Sequence, residues 1–173
     1  MVEVTLTEME MRLSAFTGCQ RKIKAIMQGF GCKLHKNPDR TIDEWGTDIE
    51  AACAETAVAK VNNIYHAYTM TTFKNPDVGE YEVKHSPRLD YNLILSGTIL
   101  DDDIFYLVLG MAPKMRVIGW LKGKDVKQPK YWREDMQAYI APQKDLIPVG
   151  PPIPLKSWEI DGPDKWSPGD PSF

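Results

Sequence analysis

The chain contains 173 residues, of which 43% are hydrophobic and 26% charged, a composition that indicates one soluble globular domain and excludes a largely disordered chain. No apolar run has the length needed to cross a membrane, and the acidic N-terminus differs from a secretory signal, so we expect a cytoplasmic protein without membrane contact. The net charge of −3 neither indicates nor excludes nucleic-acid binding, because the local distribution of charge, rather than its sum, attracts a polyanion.

The first predicted element is a helix over residues 7–28. Thr7 and Glu10 have the spacing of a capping box, which marks a helix start. Apolar residues then recur at helical spacing, at Met9, Leu13 and Phe16. Residues 32–46 are predicted to form a loop.

A second capping box, formed by Thr47 and Glu50, opens the clearest helix of the sequence, TDIEAACAETAVAKVNNIYH. The buried stripe of this helix is predicted to contain Ile49, Ala52, Cys53, Thr56, Ala57 and Ile64. Its alanines allow a close approach to a sheet. Because Glu50 is expected to serve the cap, Glu55 is left as the carboxylate that is free for other work.

The chain after this helix has a strand-like pattern. Strands are predicted at 70–74, 80–86, 90–96, 103–111, 114–121 and 138–142, with a short helix around 123–135. Short connections between successive strands favour a largely antiparallel sheet. We expect one domain over residues 1–147, with a helical N-terminal region over 1–46 and a core over 47–147. The seven prolines after residue 147 predict an extended tail over 148–173, which could contact a protein partner.

The stretch FKNPDVGEYEVKHS carries the residues best suited to chemistry. Asp77 precedes a predicted strand, and Glu82 and Lys84 share one face of it because side chains alternate with period two. Two carboxylates and a backbone carbonyl suit Mg²⁺, which keeps several water ligands. Lys84 could orient or deprotonate an attacking water, and Glu55 could hold the metal through water. The alternative is that Glu82 and Lys84 form an ordinary surface ion pair and Asp77 shapes a turn.

This arrangement resembles the PD-(D/E)XK nuclease superfamily, in particular its small phage-encoded and resolvase-like members. The signature reads PD-x4-EVK over residues 76–84, after an alanine-rich helix that carries Glu55. The resemblance covers about residues 45–145. It implies an α/β fold of the α+β type, with a restriction-endonuclease-like core, N-terminal helices and a central mixed, largely antiparallel sheet. One departure is that residues 87–121 are predicted as strands, where the family has a second helix.

The resemblance further implies a nuclease that requires Mg²⁺ or Mn²⁺ and hydrolyses DNA, most simply an endonuclease, with branched or recombining DNA as one substrate class. Asp77, Glu82 and Glu55 would bind the metal, and Lys84 would assist the water. The candidate substrate contacts are Arg88 and His85, together with Lys122 and Lys124 of the basic segment 114–133.

Two other functions remain open at this level. One is a catalytically inactive nucleic-acid-binding protein on the same fold, in which the basic and aromatic segment 114–133 contacts phosphates and bases. The other is a phage accessory or interaction protein that uses the proline-rich tail. The presence of Lys84 beside two carboxylates favours the enzyme. A homodimer would suit the cutting of both strands of a duplex, whose pseudo-symmetry is two-fold.

Overall fold

The computed structural model describes residues 1–29, 44–69 and 76–150, and within these residues the chain forms three α-helices and two β-sheets. No helix within these residues is both long enough and apolar enough to span a membrane. The elements in chain order are β1 (Val2–Thr5), α1 (Glu8–Met27), α2 (Glu44–Val61), β2 (Tyr81–Ser86), β3 (Leu93–Leu95), β4 (Ile104–Met111), β5 (Lys114–Lys122), α3 (Gly123–Val126), β6 (Trp132–Arg133) and β7 (Ala138–Ala141), with 3₁₀ turns at Pro129–Tyr131 and Gln143–Asp145.

Three of the predicted segments fall partly or wholly outside the described residues. These are the strand at 70–74, most of the loop at 32–46 and most of the tail at 148–173.

The larger sheet has four strands in the order β1-β5-β4-β2. β1 pairs antiparallel with β5 and β5 with β4, whereas β2 runs parallel to β4. The sheet is therefore mixed, as predicted. The prediction that successive strands are antiparallel neighbours is wrong for β3. This strand belongs to a second, antiparallel sheet, whose order is β3-β7-β6. Parallel strands need a crossover, and residues 87–103 make it by passing through the second sheet.

Both faces of the larger sheet are covered. On one face, α2 packs against Tyr106 and Val108 of β4 and Val117 of β5. On the other face, the second sheet packs against Phe105 and Leu107 of β4. Because neighbouring residues of a strand point to opposite faces, β4 contributes to both cores. The layers are therefore helices, larger sheet and smaller sheet, with β2 at one side of the middle layer.

The N-terminal cap of α1 is confirmed. Thr7 Oγ1 accepts a hydrogen bond from the Glu10 N–H at 3.2 Å, and Glu10 Oε2 accepts one from the Thr7 N–H at 2.6 Å. These two bonds satisfy two of the N–H groups that every helix start leaves without a helical partner. The local signal was sufficient here because both partners lie within one turn of the chain.

The cap predicted for the second helix is wrong. α2 begins at Glu44 rather than at Thr47, and it ends at Val61. Glu50 lies inside the helix, where its Oε2 accepts a hydrogen bond from the N–H of Ala112 at 3.0 Å. The carboxylate therefore satisfies a backbone donor in the turn between β4 and β5, which is a long-range contact that a capping motif does not reveal.

Two boundaries of the predicted helical regions also differ. The N-terminal region that was expected to be helical begins instead with β1, a strand of four residues that lies beside β5. Its alternation of valine with polar residues at Val2–Thr5 was the available signal, but the segment is very short. Of the helix predicted around 123–135, only Gly123–Val126 is α-helical, because the chain then turns into β6.

The apolar spacing in α1 does not mark the face that packs. The residues buried against α2 are Ser14, Thr17 and Gly18, whereas Met9, Leu13 and Phe16 are exposed. A Cβ atom placed on Gly18 would lie 2.6 Å from the backbone Cα of Ile49. The two helices therefore cross so closely that only small side chains fit between them.

This close crossing predicts that Gly18→Ala destabilises the protein. In an exposed helix position the same change stabilises by about 1 kcal/mol, but here the added methyl group meets backbone, and overpacking costs about 1–3 kcal/mol. The measurement is the free energy of unfolding from urea titration, with Gly150→Ala as the control, because a Cβ atom placed there would meet nothing within 4 Å. An unchanged or increased stability of Gly18→Ala would contradict the close crossing.

Candidate functional site

The edge strand β2 organises the candidate site. A tight turn precedes it, in which Val78 and Tyr81 exchange backbone hydrogen bonds of 3.0 and 2.8 Å. Asp77 stands just before this turn, and its Oδ2 accepts a hydrogen bond from the N–H of Val83 at 2.8 Å. Among the described strands, β2 is an edge strand of the larger sheet, with β4 as its one neighbour. The Asp77 side chain therefore occupies a strand edge that has no neighbouring strand in the described residues.

Glu82 and Lys84 lie on the face of β2 that looks toward the second sheet. Lys84 Nζ is 3.6 Å from Glu82 Oε2, and both side chains are partly exposed. They line a cleft of about 350 Å³, together with Phe105, Asp103 and residues of the segment 94–99. The pair confirms the shared face that the period of two predicted. A separation of 3.6 Å is that of a loose ion pair, so both groups remain available to a ligand in the cleft.

Asp77 is the most perturbed carboxylate of this region. Its pKa is raised from 3.8 to about 6. Burial is the largest cause and the negative charges of Glu55 and Glu82 add to it, whereas the hydrogen bond from the Val83 N–H and the charge of Lys84 act in the opposite direction. The three carboxylates and the lysine thus share one electrostatic neighbourhood. At neutral pH, the ionised form of Asp77 is held beside other negative charges, a situation that a bound cation would relieve.

Glu55 is buried and fully engaged. Arg21 of α1 donates to both of its oxygens, to Oε1 from Nη1 and to Oε2 from Nη2 at 2.8 Å. His66 Nε2 lies 3.3 Å from Oε2. Burial alone would raise the pKa of Glu55, but the hydrogen bonds from His66 and Arg21 outweigh it and lower the pKa. The expectation that this carboxylate is free for other work is wrong, because a buried charge must be paired.

A chain of side-chain hydrogen bonds extends from Glu55 across the helix interface. His66 Nδ1 lies 3.1 Å from Thr56 Oγ1, which lies 2.9 Å from Ser14 Oγ. Sequence reasoning missed Arg21 as a member of this network. The available signal was its position on the small-residue face of α1, one turn after Thr17 and Gly18.

The four candidate substrate contacts divide into two groups, and the first lies on the part of the chain beyond Lys84. His85 Nε2 is 2.9 Å from the carbonyl oxygen of Gly110, and Arg88 makes a two-bond ion pair with Asp90. Arg88 follows the far end of β2, roughly 16 Å along the strand from Val83 at about 3.3 Å per residue. His85 lies on the opposite face of β2 from Glu82 and Lys84, and Arg88 lies beyond the end of the strand.

The second group lies at the same end of the sheet as Asp77. Tyr81 pairs with Ile104 and Ile104 with Lys122, so Lys122 is two strands away, or roughly 10 Å at about 4.8 Å per strand. Lys124 follows on α3 and is exposed. Both lysines are therefore placed where a polyanion bound at this end of the sheet would pass.

The described residues offer two carboxylates to a magnesium ion but no ready-made cluster of three ligands. No group of three or more His, Cys, Asp or Glu side chains in the described residues is arranged to hold a metal. Asp77 and Glu82 nonetheless supply two carboxylates, and Mg²⁺ is commonly held by one or two together with waters and substrate phosphate. Direct ligation by Glu55 would require its bonds to Arg21 and His66 to be exchanged.

No protein-family model matches the chain, and comparisons with curated proteins and with solved structures also found no match. The functional conclusion therefore depends on the chemistry of the site itself.

The raised pKa of Asp77 predicts a pH-dependent gain in stability for Asp77→Asn. The folded pKa, about 6, exceeds the ordinary value of 3.8, so the carboxyl group favours folding below pH 4 and this contribution is lost as the pH rises through 6. At pH 8 the substitution should raise the free energy of unfolding by about 2 kcal/mol, and at pH 4 by much less. Urea titrations at both pH values measure the difference. Asp102→Asn, at an exposed position, is the control, and an equal effect at both pH values would contradict the assignment.

The Arg21–Glu55 pair predicts strong coupling between two substitutions. Arg21→Met should cost about 3 kcal/mol because it leaves a buried carboxylate without its main partner. Adding Glu55→Gln should restore some of that loss, so the two effects should not add. Arg12→Ala, which removes an exposed ion pair with Glu8 on the same helix, should cost far less. Additive effects in a double-mutant cycle would refute the pairing.

Proposed function

We propose that the chain is a metal-dependent nuclease of the cytoplasm, which hydrolyses phosphodiester bonds in DNA on a restriction-endonuclease-like core. The observation that carries the proposal is the perturbed Asp77. This carboxylate is held at a strand edge beside Glu82 and Lys84, and burial together with the neighbouring carboxylates raises its pKa to about 6. Glu82 and Lys84 line the cleft, and strongly perturbed ionisable groups such as Asp77 are typical of functional sites.

Each residue of the site has a role in this proposal. Asp77 and Glu82 would hold Mg²⁺ or Mn²⁺, which when bound supplies charge neutralisation and a more acidic water. Lys84 Nζ, at the mouth of the cleft, would orient the attacking water or offset charge on the phosphate. Glu55 would act through Arg21, whose positive charge interacts with Asp77. Glu55 is therefore a positioning residue in this scheme, and metal ligation by it remains a prediction.

The proposed substrate is DNA, cut internally, with branched or recombining DNA as one class. Lys122 and Lys124 would contact the phosphates beyond the cut, because they lie at the Asp77 end of the sheet. His85 and Arg88 would contact only a substrate that extends along the whole of β2. The proline-rich tail remains a proposed contact for a protein partner.

A second candidate function is nucleic-acid binding without catalysis. A separate surface favours it, where Trp132 stands edge-on to Tyr139 with ring centroids 4.9 Å apart. Lys127 and Pro129 complete a shallow cleft of about 330 Å³ with these rings. Exposed aromatic rings beside lysines provide stacking and phosphate contacts for single strands.

The cleavage prediction compares matched substitutions on supercoiled plasmid, single-stranded DNA and a four-way junction. Wild-type protein should cut at least one of these with Mg²⁺ or Mn²⁺ and none with EDTA. Lys84→Ala and Glu82→Gln should each lower the rate by at least about 100-fold, the usual effect of removing a group that transfers or orients a proton. The controls, Lys114→Ala and Glu3→Gln, change residues on the strands β5 and β1 and should cut like wild type.

The alternative outcomes separate the two functions. Cutting that survives both site substitutions, or no cutting under any condition, would overturn the proposed nuclease. Salt-dependent DNA binding without cutting, which Trp132→Ala abolishes and Lys84→Ala does not, would establish the second candidate.

A further inference from the structure

The helix α1 carries a row of residues, apolar except for Gln20, that faces solvent. We call this row the α1 seam, and it consists of Met9, Leu13, Phe16, Gln20, Ile23 and Met27. The intervals are four, three, four, three and four residues, which is the 3.5-residue period of a helix-to-helix interface. The five apolar members are between 41% and 81% exposed.

The seam lies away from the face that packs within the chain. Residues of a helix are offset by about 100° each, so Phe16 and the buried Gly18 point in nearly opposite directions. α2 contacts the small-residue face with Ser14, Thr17 and Gly18. The apolar members of the seam therefore remain exposed within the described residues, and Ile26 beside the seam is also half exposed.

The area of the seam is large enough for an interface. Its apolar side chains together with Ile26 expose on the order of 600 Å², the upper end for the largest apolar patch of a monomer. Two such surfaces placed together would remove about 1,200 Å² from water, which reaches the size of a small specific interface. A second copy of this chain presents the same period and the same area, so the seam is self-complementary.

We propose that the α1 seam is a homodimer interface in which two α1 helices pack antiparallel. Charge complementarity selects the direction. With the two-fold axis between Phe16 and Gln20, Leu13 lies opposite the partner's Ile23. The partner's Lys24 lies beside Glu10, which already accepts a hydrogen bond from Lys60 of its own chain at 3.0 Å, and this contact occurs twice by symmetry. A parallel pair would bring Lys24 beside the partner's Cys19 and would form no opposite-charge contact along the seam.

This interface is independent of the proposed hydrolysis, because none of the seam residues belongs to the site around Asp77. The proposal names one occupant of the seam, which is a second copy of this chain. A monomer whose seam is covered by its own residues 30–43 or 151–173, or a complex with a different protein, would each give another mass.

The test is the mass of the full chain in solution, measured by sedimentation equilibrium from about 1 to 100 μM, the range of a moderate dimer. Wild type should be dimeric at the upper end. Phe16→Glu should raise the dissociation constant by at least about 100-fold, since a charge replaces an aromatic residue at the centre of the interface. Ile23→Glu is a second variant, and Leu100→Glu, at an exposed leucine outside α1, is the control. Circular dichroism checks that all three variants fold.

A monomeric wild type at the highest concentration would overturn the proposal, as would a Phe16→Glu variant that dimerises like wild type. The direction is tested by cross-linking through Cys19 with a short bismaleimide, in a Cys32→Ser background and with Cys53 buried. The antiparallel pair places Cys19 beside the partner's Cys19 and should give a covalent dimer. A dimer by mass that does not cross-link would contradict the antiparallel arrangement.

Discussion

The ion pair between Glu55 and Arg21 joins the segments of the chain that support the candidate site. Removing a carboxylate from water carries a large desolvation penalty, which is offset here by two bonds from Arg21 and one from His66. Glu55 belongs to α2, Arg21 to α1 and His66 to the segment after α2. A displacement of Glu55 or Arg21 would leave a charge unpaired in the interior, so the pair fixes the relative positions of α1 and α2. The positive charge of Arg21 also interacts with the carboxylate of Asp77.

The position of β2 at the side of the sheet explains why charged residues can collect there. An inner strand such as β4 is covered on both faces and paired on both edges, so its side chains are apolar. β2 has one edge without a neighbouring strand in the described residues, and Asp77 caps an N–H on that edge. Glu82 and Lys84 then emerge at the margin of the second core, where a cleft admits solvent. The site thus depends on strand order, which places β2 last.

The sequence was sufficient where the determining contacts are local. The cap at Thr7, the strands β2, β4 and β5 of the larger sheet and the shared face of Glu82 and Lys84 follow from patterns within a few residues. The transfer of β3 to a second sheet does not, because alternation describes the faces of a strand and not its neighbours. The pairing of Arg21 with Glu55 joins residues 34 positions apart, and the contact of Glu50 with the turn after β4 is longer in range still. Charged residues could be found from the sequence, but not which of them neutralise one another.

The orientation of α1 shows why apolar spacing alone can select the wrong face of a helix. Burial of large side chains stabilises in proportion to area, which favours Leu13 and Phe16 as the packed residues. A close crossing obeys a different constraint, since backbone approaching backbone at Gly18 and Ile49 leaves no space for them. There, dense small-residue packing and the hydrogen bond between Ser14 and Thr56 replace large apolar burial. Because α2 packs on the small-residue face, the apolar face of α1 remains exposed within the described chain, and it keeps the period that packing against a second helix would require.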